Sequence, residues 1–258
     1  RQRQMCIRDS SVLPAQTNAW VTASGNRADG AAYMGRQAQR ALIVQALKAG
    51  IDTSVQIREE QNQFNLIACP QYPELAPNMV ALNNERSDTA FVVVDTPLRL
   101  TPDEIVTWAT NNTGLGLATG DGLLVGDAYA GAFYPSCQTT DLSGSVVVQP
   151  PSHMMVRTII RSDEQAYPWL APAGVRRGVV DNAAAIGYVN ATTGEFTTLG
   201  VNQGLRDVLY TNRVNPITFV PGVGITNFGN KTTTSITSAL DRINVCLLYT
   251  SPSPRDQR

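Results

Sequence analysis

The chain has 258 residues, of which 43% are hydrophobic and 16% are charged, and its formal charge at pH 7 is -1. This length is enough for one large or two small domains with a hydrophobic core. The near-zero charge excludes a broad basic surface for nucleic acid or an anionic membrane, and no apolar run approaches the roughly 18 residues that a spanning helix needs.

Both ends of the chain match translated sequencing adapters. Residues 1–10 (RQRQMCIRDS) correspond to a common transposase adapter, and residues 246–258 correspond to the complementary adapter. We therefore expect both segments to be non-native and the gene fragment to span about residues 11–245. Outside them lie two cysteines, Cys69 and Cys137. They are expected to be buried free thiols in a reducing cytoplasm, because two unspaced cysteines form neither a metal site nor a disulfide framework.

The first predicted element is an amphipathic helix over Ala31–Ala49, a segment rich in helix-forming residues. Its apolar face is predicted to contain Met34, Ala38, Ala41 and Leu42. Gly50 is predicted to end this helix, because glycine commonly follows the last helical turn.

Short apolar runs then predict an α/β sheet. Phe64–Ala68 and Ala90–Val94 are too short for buried helices and are typical of central strands. A helix is predicted between them at about Asn78–Arg86. The motif Thr101–Glu104 (TPDE) combines a capping hydroxyl, a proline at the first helical position and a glutamate at the third, and predicts a helix to about Thr110. Alternation of strands and helices favours a mainly parallel sheet.

The second half begins with further strands, predicted at Ala128–Tyr134 and Ser145–Val148, and a helix from Pro150 to Arg161. After Asp163 glycine, proline and threonine become frequent. There the sequence predicts a hairpin within YVNATTGEFTTL, residues 188–199, and a helix near Gln203–Asn212. The change in composition predicts a domain boundary near residue 165.

No set of residues predicts an active site. His153 is the single histidine and would have to be the base of any Ser/His/Asp hydrolase, but the chain lacks a Gly-x-Ser-x-Gly turn, so a surface histidine is expected. Gly114–Gly120 is similar to a dinucleotide turn, yet its third glycine is one place late and it follows a helix, which favours a loop.

Metal and cofactor sites are not expected either. The loop acids Asp121, Asp127 and Asp141 lack the spacing of a calcium loop. Arg157 and Arg161, one helical turn apart, predict a solvated or interfacial salt-bridge face. We therefore assign no catalytic, cofactor-binding or metal-binding residue.

A series of proline, glycine and asparagine motifs runs through the second half. These residues are, in chain order, Pro150, Pro151, Ser152, Pro168, Pro172, Gly174, Asn215, Pro216, Pro221, Gly222, Gly224, Gly229, Lys231 and Thr232. A proline-led helix, an APAG run, an asparagine-proline turn, a strand ending in PG-x-G and a WG-x-RT-like turn, in this order, resemble contractile tail sheath proteins of bacteriophages and related injection devices. Phe228 stands where the family usually has tryptophan, and Lys231 where it has arginine.

The resemblance covers about residues 35–245 and is most specific over 150–245. Residues 68–74 (ACPQYPE) and 91–97 (FVVVDTP) resemble two strand ends of the family's α/β domain, and residues 239–245 resemble the start of its next strand and helix. The implied fold is a subtilisin-like mixed or parallel sheet flanked by helices over residues 11–165. A smaller α+β C-terminal sheath domain, truncated, follows over 166–245.

The resemblance implies a structural subunit rather than an enzyme. It implies a virion protein, assembled in the host cytoplasm, that polymerises with neighbouring sheath subunits around a tail tube protein and contacts baseplate and tail terminator proteins, with no nucleic acid, membrane or cofactor as partner. Contraction drives the tube through the host envelope. The low lysine content, Lys48 and Lys231 only, fits a subunit covered on several sides. Residues at a possible tube or subunit interface are Arg176, Arg177, Arg206 and Arg213.

Two other functions stay open at this stage. An α/β hydrolase or nucleotide-binding enzyme would need a pocket that joins His153 to a serine and an acid, or a phosphate cradle at Gly114–Gly120. A carbohydrate-binding virion module would need an aromatic platform built from Trp169, Tyr188 or Phe196. A sheath subunit instead predicts exposed strand edges to which arms of neighbours add.

Overall fold

The computed structural model describes residues 34–59, 61–110, 122–123, 125–165 and 171–234. The helices are α1 (Met34–Thr53), α2 (Ala76–Glu85), α3 (Pro102–Ala109), α4 (Pro151–Gln165), α5 (Gly174–Arg177) and α6 (Gln203–Thr211), and a 3-10 turn spans Pro73–Leu75. The strands are β1 (Leu66–Ala68), β2 (Phe91–Asp95), β3 (Ala130–Tyr134), β4 (Ser136–Thr140), β5 (Val146–Gln149), β6 (Ala185–Val189), β7 (Phe196–Thr198), β8 (Val214–Val220) and β9 (Gly224–Asn227).

A five-stranded sheet forms the centre of the described chain, in the order β1-β2-β3-β8-β9. The first four strands are parallel, and β9 returns antiparallel to β8. Every residue of β2 and β3 is buried. Strands buried on both faces are apolar without alternation, which explains why AFVVV predicts a central strand. The predicted mixed sheet flanked by helices is confirmed.

Helices flank this sheet. Helix α2 contacts β2, α6 contacts β8, α3 contacts α6, and α4 packs against β1, β2 and β3. The core includes Leu75 of the 3-10 turn, Met79 of α2, Trp108 of α3, and Met154 and Met155 of α4. The TPDE motif forms the predicted capping box, in which the Glu104 carboxylate accepts from the Thr101 amide at 2.8 Å.

A second, antiparallel sheet has the order β5-β4-β6-β7. The predicted hairpin is its β6–β7 pair. Both sheets combine strands from before and after residue 165, because β8 pairs with β3 and β6 pairs with β4. The domain boundary near residue 165 stays a prediction, and any C-terminal unit drawn there shares both sheets with the preceding residues.

Two local predictions are wrong, and one strand was not predicted. Helix α1 continues through Gly50 to Thr53, where the Thr53 hydroxyl donates to the Ala49 carbonyl. Leu42, predicted on the buried face, is 66% exposed. The residues that pack on the core from this helix are Val44, Leu47 and Ile51. Strand β4 has no counterpart in the predicted elements.

No helix in the described ranges is both long and apolar enough to cross a membrane.

Candidate functional site

The motif residues of the second half meet in one hydrogen-bonded cluster, which we call the asparagine clasp and define as Asn215, Asn227, Gly229 and Lys231. Asn215 lies in β8 and is fully buried. Its amide nitrogen donates to the Ala132 carbonyl at 3.1 Å and the Lys231 carbonyl at 2.8 Å. Its amide oxygen accepts from the Lys231 backbone at 2.7 Å. One side chain therefore joins two strands to the segment that follows β9.

Asn227, at the end of β9, makes the second half of the clasp. Its side-chain amide donates to the carbonyls of Pro172 and Gly229, each at 2.9 Å, and accepts from the Gly229 backbone at 3.1 Å. Its own backbone N–H donates to the Gly178 carbonyl at 2.7 Å. Asn227 thus ties the APAG run to the turn after β9, two motifs more than 50 positions apart.

The clasp requires glycine at position 229. A Cβ on Gly229 would lie 2.4 Å from the Cβ of Asn215, far inside normal contact. Asn215 is held by buried hydrogen bonds to Ala132 and Lys231, so it has no room to move. This explains a glycine here even though its φ is not positive.

Lys231 and the residues after it close the cluster over β3. The Lys231 ammonium donates to the Tyr210 carbonyl at 2.9 Å and lies 4.1 Å from the centre of the Tyr210 ring. The Thr233 backbone donates to the Ala130 carbonyl at 2.8 Å. The Thr232 side chain is buried, and its hydroxyl has no hydrogen-bond partner in the described structure.

A second set of motif residues meets at the carboxyl ends of β1 and β2. Asp95 ends β2 and is 2% exposed. Its carboxylate accepts from the Ser152 backbone at 2.6 Å, from the Ser152 hydroxyl at 2.8 Å and from the Gln71 backbone at 2.9 Å. Burial raises the pKa of Asp95 to about 6, although these three donors lower it. The first turn of α4 is thereby fixed to the sheet.

Asp95 is the residue that the sequence predictions missed as a member of this cluster. The sequence predictions include Asp95 only within residues 91–97, as part of a strand end. An acidic residue directly after a fully apolar β-branched run was the available signal, because a carboxylate at the end of a buried strand needs hydrogen-bond donors.

The remaining motif residues lie at helix starts, in turns and in β8. Pro150, Pro151 and Pro172 are buried. Pro216 is buried inside β8, so the asparagine-proline turn predicted from the motif is wrong, because these two residues pair with β3 as part of a strand. Pro221 and Gly222 lie in the turn between β8 and β9, and Gly224 begins β9. The φ angle is +81° at Gly222 and +111° at Gly224, a backbone that favours glycine. Gly174 begins α5. Pro168 lies outside the described residues, as do positions 239–245.

The four predicted interface arginines differ in their surroundings. Arg176 is exposed, and Arg177 is half-buried with one guanidinium nitrogen unpartnered in the described structure. The Arg206 guanidinium lies 4.8 Å from the centre of the Phe228 ring. Arg213 donates to the Thr233 carbonyl at 3.0 Å, so it serves the fold of its own subunit. Their role at an interface stays a prediction.

A groove of about 860 Å³ runs along α4 and includes Ser152, His153 and Glu164. This is the combination that a hydrolase would need, but the groove does not join the three groups. The Ser152 hydroxyl donates to buried Asp95, and His153 is exposed on the next helical position. The pKa of His153 is lowered by partial burial and by nearby Arg157. No hydrogen bond between His153 and a serine or carboxylate side chain occurs in the described structure.

The other predicted polar groups form no ligand site. Arg157 and Arg161 both pair with Asp181, at 2.9 and 3.0 Å, as expected for a salt-bridge face. Across the described positions no three His, Cys, Asp or Glu side chains come together as metal ligands. Gly114–Gly120 and Asp121 lie outside the described residues.

The aromatic residues named for a sugar platform do not share a surface. Tyr188 is opposite Thr197 and Phe196 is opposite Val189 in the β6–β7 pair. Neighbouring positions of a strand face opposite sides of the sheet, so Tyr188 and Phe196 point to different faces. Trp169 lies outside the described residues.

The two remaining cysteines are free, as predicted, but they differ in burial. Cys137 is fully buried in β4, and burial raises its pKa to about 12. Cys69 is only half-buried, after β1. Its pKa is raised by burial and by the nearby Asp95 and Glu74 carboxylates.

The two edges of the five-stranded sheet are not equivalent. Residues 178–180 cover β9, through the bridge of Val179 with Thr226 and the bond from the Val180 amide to the Ile225 carbonyl. Strand β1 has a paired neighbour on one side only within the described chain. The β1 edge therefore matches the exposed strand edge that is expected in a sheath subunit.

Comparison with known proteins gives a consistent relationship. No family model matches the chain. It is 29% identical over 183 residues to the tail sheath protein of Enterobacteria phage T4, covering 67% of this chain and 25% of that protein. It is 32% identical over 88 residues to the tail sheath protein of Vibrio phage KVP40, covering 34% of this chain and 12% of that protein. The chain thus spans a quarter or less of the curated relatives' length.

Solved structures show the same fold. The contracted sheath of an extracellular contractile injection system matches with a TM-score of 0.52 at 18% identity, covering 80% of this chain and 48% of that one. The contracted helical sheath of the anti-feeding prophage matches with a TM-score of 0.50 at 18% identity, covering 80% and 47%. The chain is thus similar in sequence to two phage tail sheath proteins and has the fold of two contractile sheath structures.

Proposed function

We propose that the chain is part of a structural subunit of a contractile phage tail sheath, which polymerises helically around the tail tube and contracts to drive the tube through the host envelope. The sequence similarity to two phage tail sheath proteins carries this proposal. The clasp supports it, because the residues of the matching motifs make buried hydrogen bonds to the backbone and do not line a reactive pocket.

General physics supplies a mechanism without a nucleotide. A surface patch that binds a different patch on the next identical subunit generates an open helix rather than a closed pair. A lattice held in a metastable arrangement releases free energy when subunit contacts repack. Each subunit needs to contribute only a few kcal/mol, since many subunits act together. No catalytic group is required, so we propose no enzymatic activity.

We further propose the finer assignments of the sheath family. The α/β part before residue 165 corresponds to the subtilisin-like domain and residues 166–245 to the C-terminal domain, which faces the tube. Arg176 and Arg177 are the better candidates for tube contact, because Arg206 and Arg213 are already engaged within the subunit. The protein is proposed to be a virion component, assembled in the host cytoplasm, with the tube, baseplate and tail terminator proteins as partners.

Sedimentation tests this proposal. The open reading frame that contains residues 11–245 is recovered from genomic DNA, expressed alone and centrifuged at increasing speed. A sheath subunit is expected to pellet as large polymers that urea dissociates into folded or unfolded monomers. A product that sediments only as a monomer at all concentrations would contradict the proposal.

A further inference from the structure

Helix α1 and the loop that follows it are attached to the rest of the described chain with little burial. We call this segment the strap and define it as residues 34–59 and 61–62. From Arg40 to Tyr72 every residue whose burial is described is exposed or half-buried, and the first buried residue is Pro73. Helix α4, by contrast, buries seven of its residues. Because helices in proteins are stabilised mainly by the face that they bury, α1 gains less from packing than α4 does.

The apolar contact beneath the strap is incompletely packed. Val44, Leu47 and Ile51 pack on the core, but Leu47 and Ile51 also line a groove of about 330 Å³ between α1, β1 and α2. A side chain beside such a space loses the dispersion contacts that a close-packed neighbour provides. Two other apolar residues of the strap face solvent, Leu42 at 66% and Val55 at 68% exposure. Apolar burial therefore contributes little to holding the strap.

Polar contacts fasten the strap along its length. Near its start, the Arg40 guanidinium donates to both carboxylate oxygens of Glu74, at 2.8 and 2.9 Å, and to the Gln71 carbonyl at 2.8 Å. At the end of α1, the Asn78 side-chain amide donates to the Asp52 carboxylate at 2.9 Å. The strap is thus bound to the 3-10 turn and to the first half of α2.

Two arginines hold the loop after α1. The Arg58 guanidinium donates to the Glu85 carboxylate at the end of α2. In the opposite direction, Arg86, directly after α2, donates to the carbonyls of Ile57 and Asn62, each at 2.9 Å. Together with the contacts of the preceding paragraph, these bonds follow the whole length of α2.

We propose that the strap is a detachable segment, whose release from α2 depends on ionic strength and leaves the five-stranded sheet folded. Its two ion pairs, Arg40 with Glu74 and Arg58 with Glu85, are partly exposed, so dissolved salt screens them. The sheet keeps its cover when the strap leaves, because α2 and α4 contact β2 directly. Segments with few buried contacts open locally at a lower free energy than the core.

Release of the strap changes the surface at one end of the sheet. It uncovers apolar side chains of the groove, among them Leu66, Ile67 and Met79, which the strap partly shields when it is bound. The amount of apolar surface presented there is then set by ionic strength. This property belongs to the single chain and goes beyond the proposed function.

Hydrogen–deuterium exchange of the 258-residue chain, followed by mass spectrometry of its peptides, tests the proposal. Peptides of α1 are expected to exchange faster than peptides of β2 and α4, because the strap opens without them. Raising NaCl from about 0.05 M to about 0.5 M shortens the Debye length to about 4 Å. This change is expected to speed exchange in α1 about fivefold and to leave β2 unchanged, the effect of about 1 kcal/mol.

A double variant and a matched control connect this response to the two ion pairs. Glu74→Gln with Glu85→Gln removes both carboxylates and keeps the side-chain length. At low salt it is expected to speed exchange in α1 about tenfold and to remove most of the salt response. Asp181→Asn breaks the ion pairs with Arg157 and Arg161 beside α4 and is expected to leave α1 unchanged.

Three results would overturn the proposal. Equal exchange of α1 and β2 at both salt concentrations would mean that the strap opens only when the whole fold opens. An equal effect of Asp181→Asn on α1, or a full salt response in the double variant, would exclude the two ion pairs as the cause. If the double variant does not fold, the parent decides alone, and α1 exchange that salt leaves unchanged relative to β2 overturns the proposal.

Discussion

Replacing Asn215 by alanine is expected to lower the free energy of unfolding by about 3 kcal/mol. The magnitude follows from three hydrogen bonds at 2.7 to 3.1 Å that a fully buried side chain makes to Ala132 and Lys231. At about 1 kcal/mol each, the bonds alone account for this value. Urea unfolding followed by circular dichroism measures it.

Asn215→Asp has almost the same shape and tests the reasoning more sharply. The aspartate still accepts from the Lys231 backbone, but its second oxygen faces the Ala132 and Lys231 carbonyls, to which the amide donated. We expect a larger loss than for alanine at pH 7. The loss is expected to shrink as the pH falls, because a protonated carboxyl group donates again.

Asn212→Ala is the matched control. The Asn212 amide donates to the Val208 carbonyl at an exposed position, so its loss is expected to cost less than about 0.5 kcal/mol. Equal losses for Asn215→Ala and Asn212→Ala would refute the clasp as a major source of stability. So would an Asn215→Asp variant as stable as the parent at pH 7.

Three further predictions concern single residues. Gly229→Ala is expected to destabilise the fold by about 2 kcal/mol or more, because the new Cβ meets Asn215 at 2.4 Å, and Gly200→Ala, which meets nothing within 4 Å, is the control in the same urea assay. Asp95 has a folded-state pKa of about 6 against an ordinary 3.8, so its contribution to stability is full below pH 4 and is lost as the pH rises through 6. The parent is therefore expected to gain up to about 3 kcal/mol relative to Asp95→Asn between pH 7 and pH 4, and parallel stability curves for the two proteins would exclude this. Thr101→Ala is expected to cost about 1 kcal/mol by removing the capping hydroxyl of α3, measured as a lower melting temperature, and no change would contradict the cap.

The sequence predicts the regular elements where a single local cause dominates. The TPDE capping box and the fully apolar β2 run each carry their own physical reason, and the helix and strand form where expected. Strand β4 was missed because SCQTT is polar in composition. Its conformation is fixed by pairing with β5 on one side and β6 on the other, which no local pattern contains.

The buried face of α1 was predicted wrongly for a similar reason. Alanine and leucine at helical spacing define several possible faces, and the face that packs is chosen by the partner surface of α2 and the 3-10 turn. Leu42 therefore faces solvent while Leu47 packs against the core.

Three of the four clasp residues belong to the predicted motifs, but the sequence does not predict their geometry. Asn215, Gly229 and Lys231 were named from motifs. The bonds between them depend on the pairing of β8 with β3 and β9, and on the segment after β9, which returns to β3. Asn227 and Asp95 join contacts across 55 and 57 positions, respectively. Such distant pairings depend on the tertiary fold, so spacing along the chain does not reveal them.

Negative-stain electron microscopy of the complete gene product shows directly whether the protein assembles as a sheath. The open reading frame that contains residues 11–245 is expressed alone, purified and imaged without a tube protein. A sheath subunit is expected to form long hollow cylinders of uniform diameter with a regular helical repeat. Monodisperse particles of single-subunit size, from a protein whose circular dichroism shows it to be folded, would contradict it.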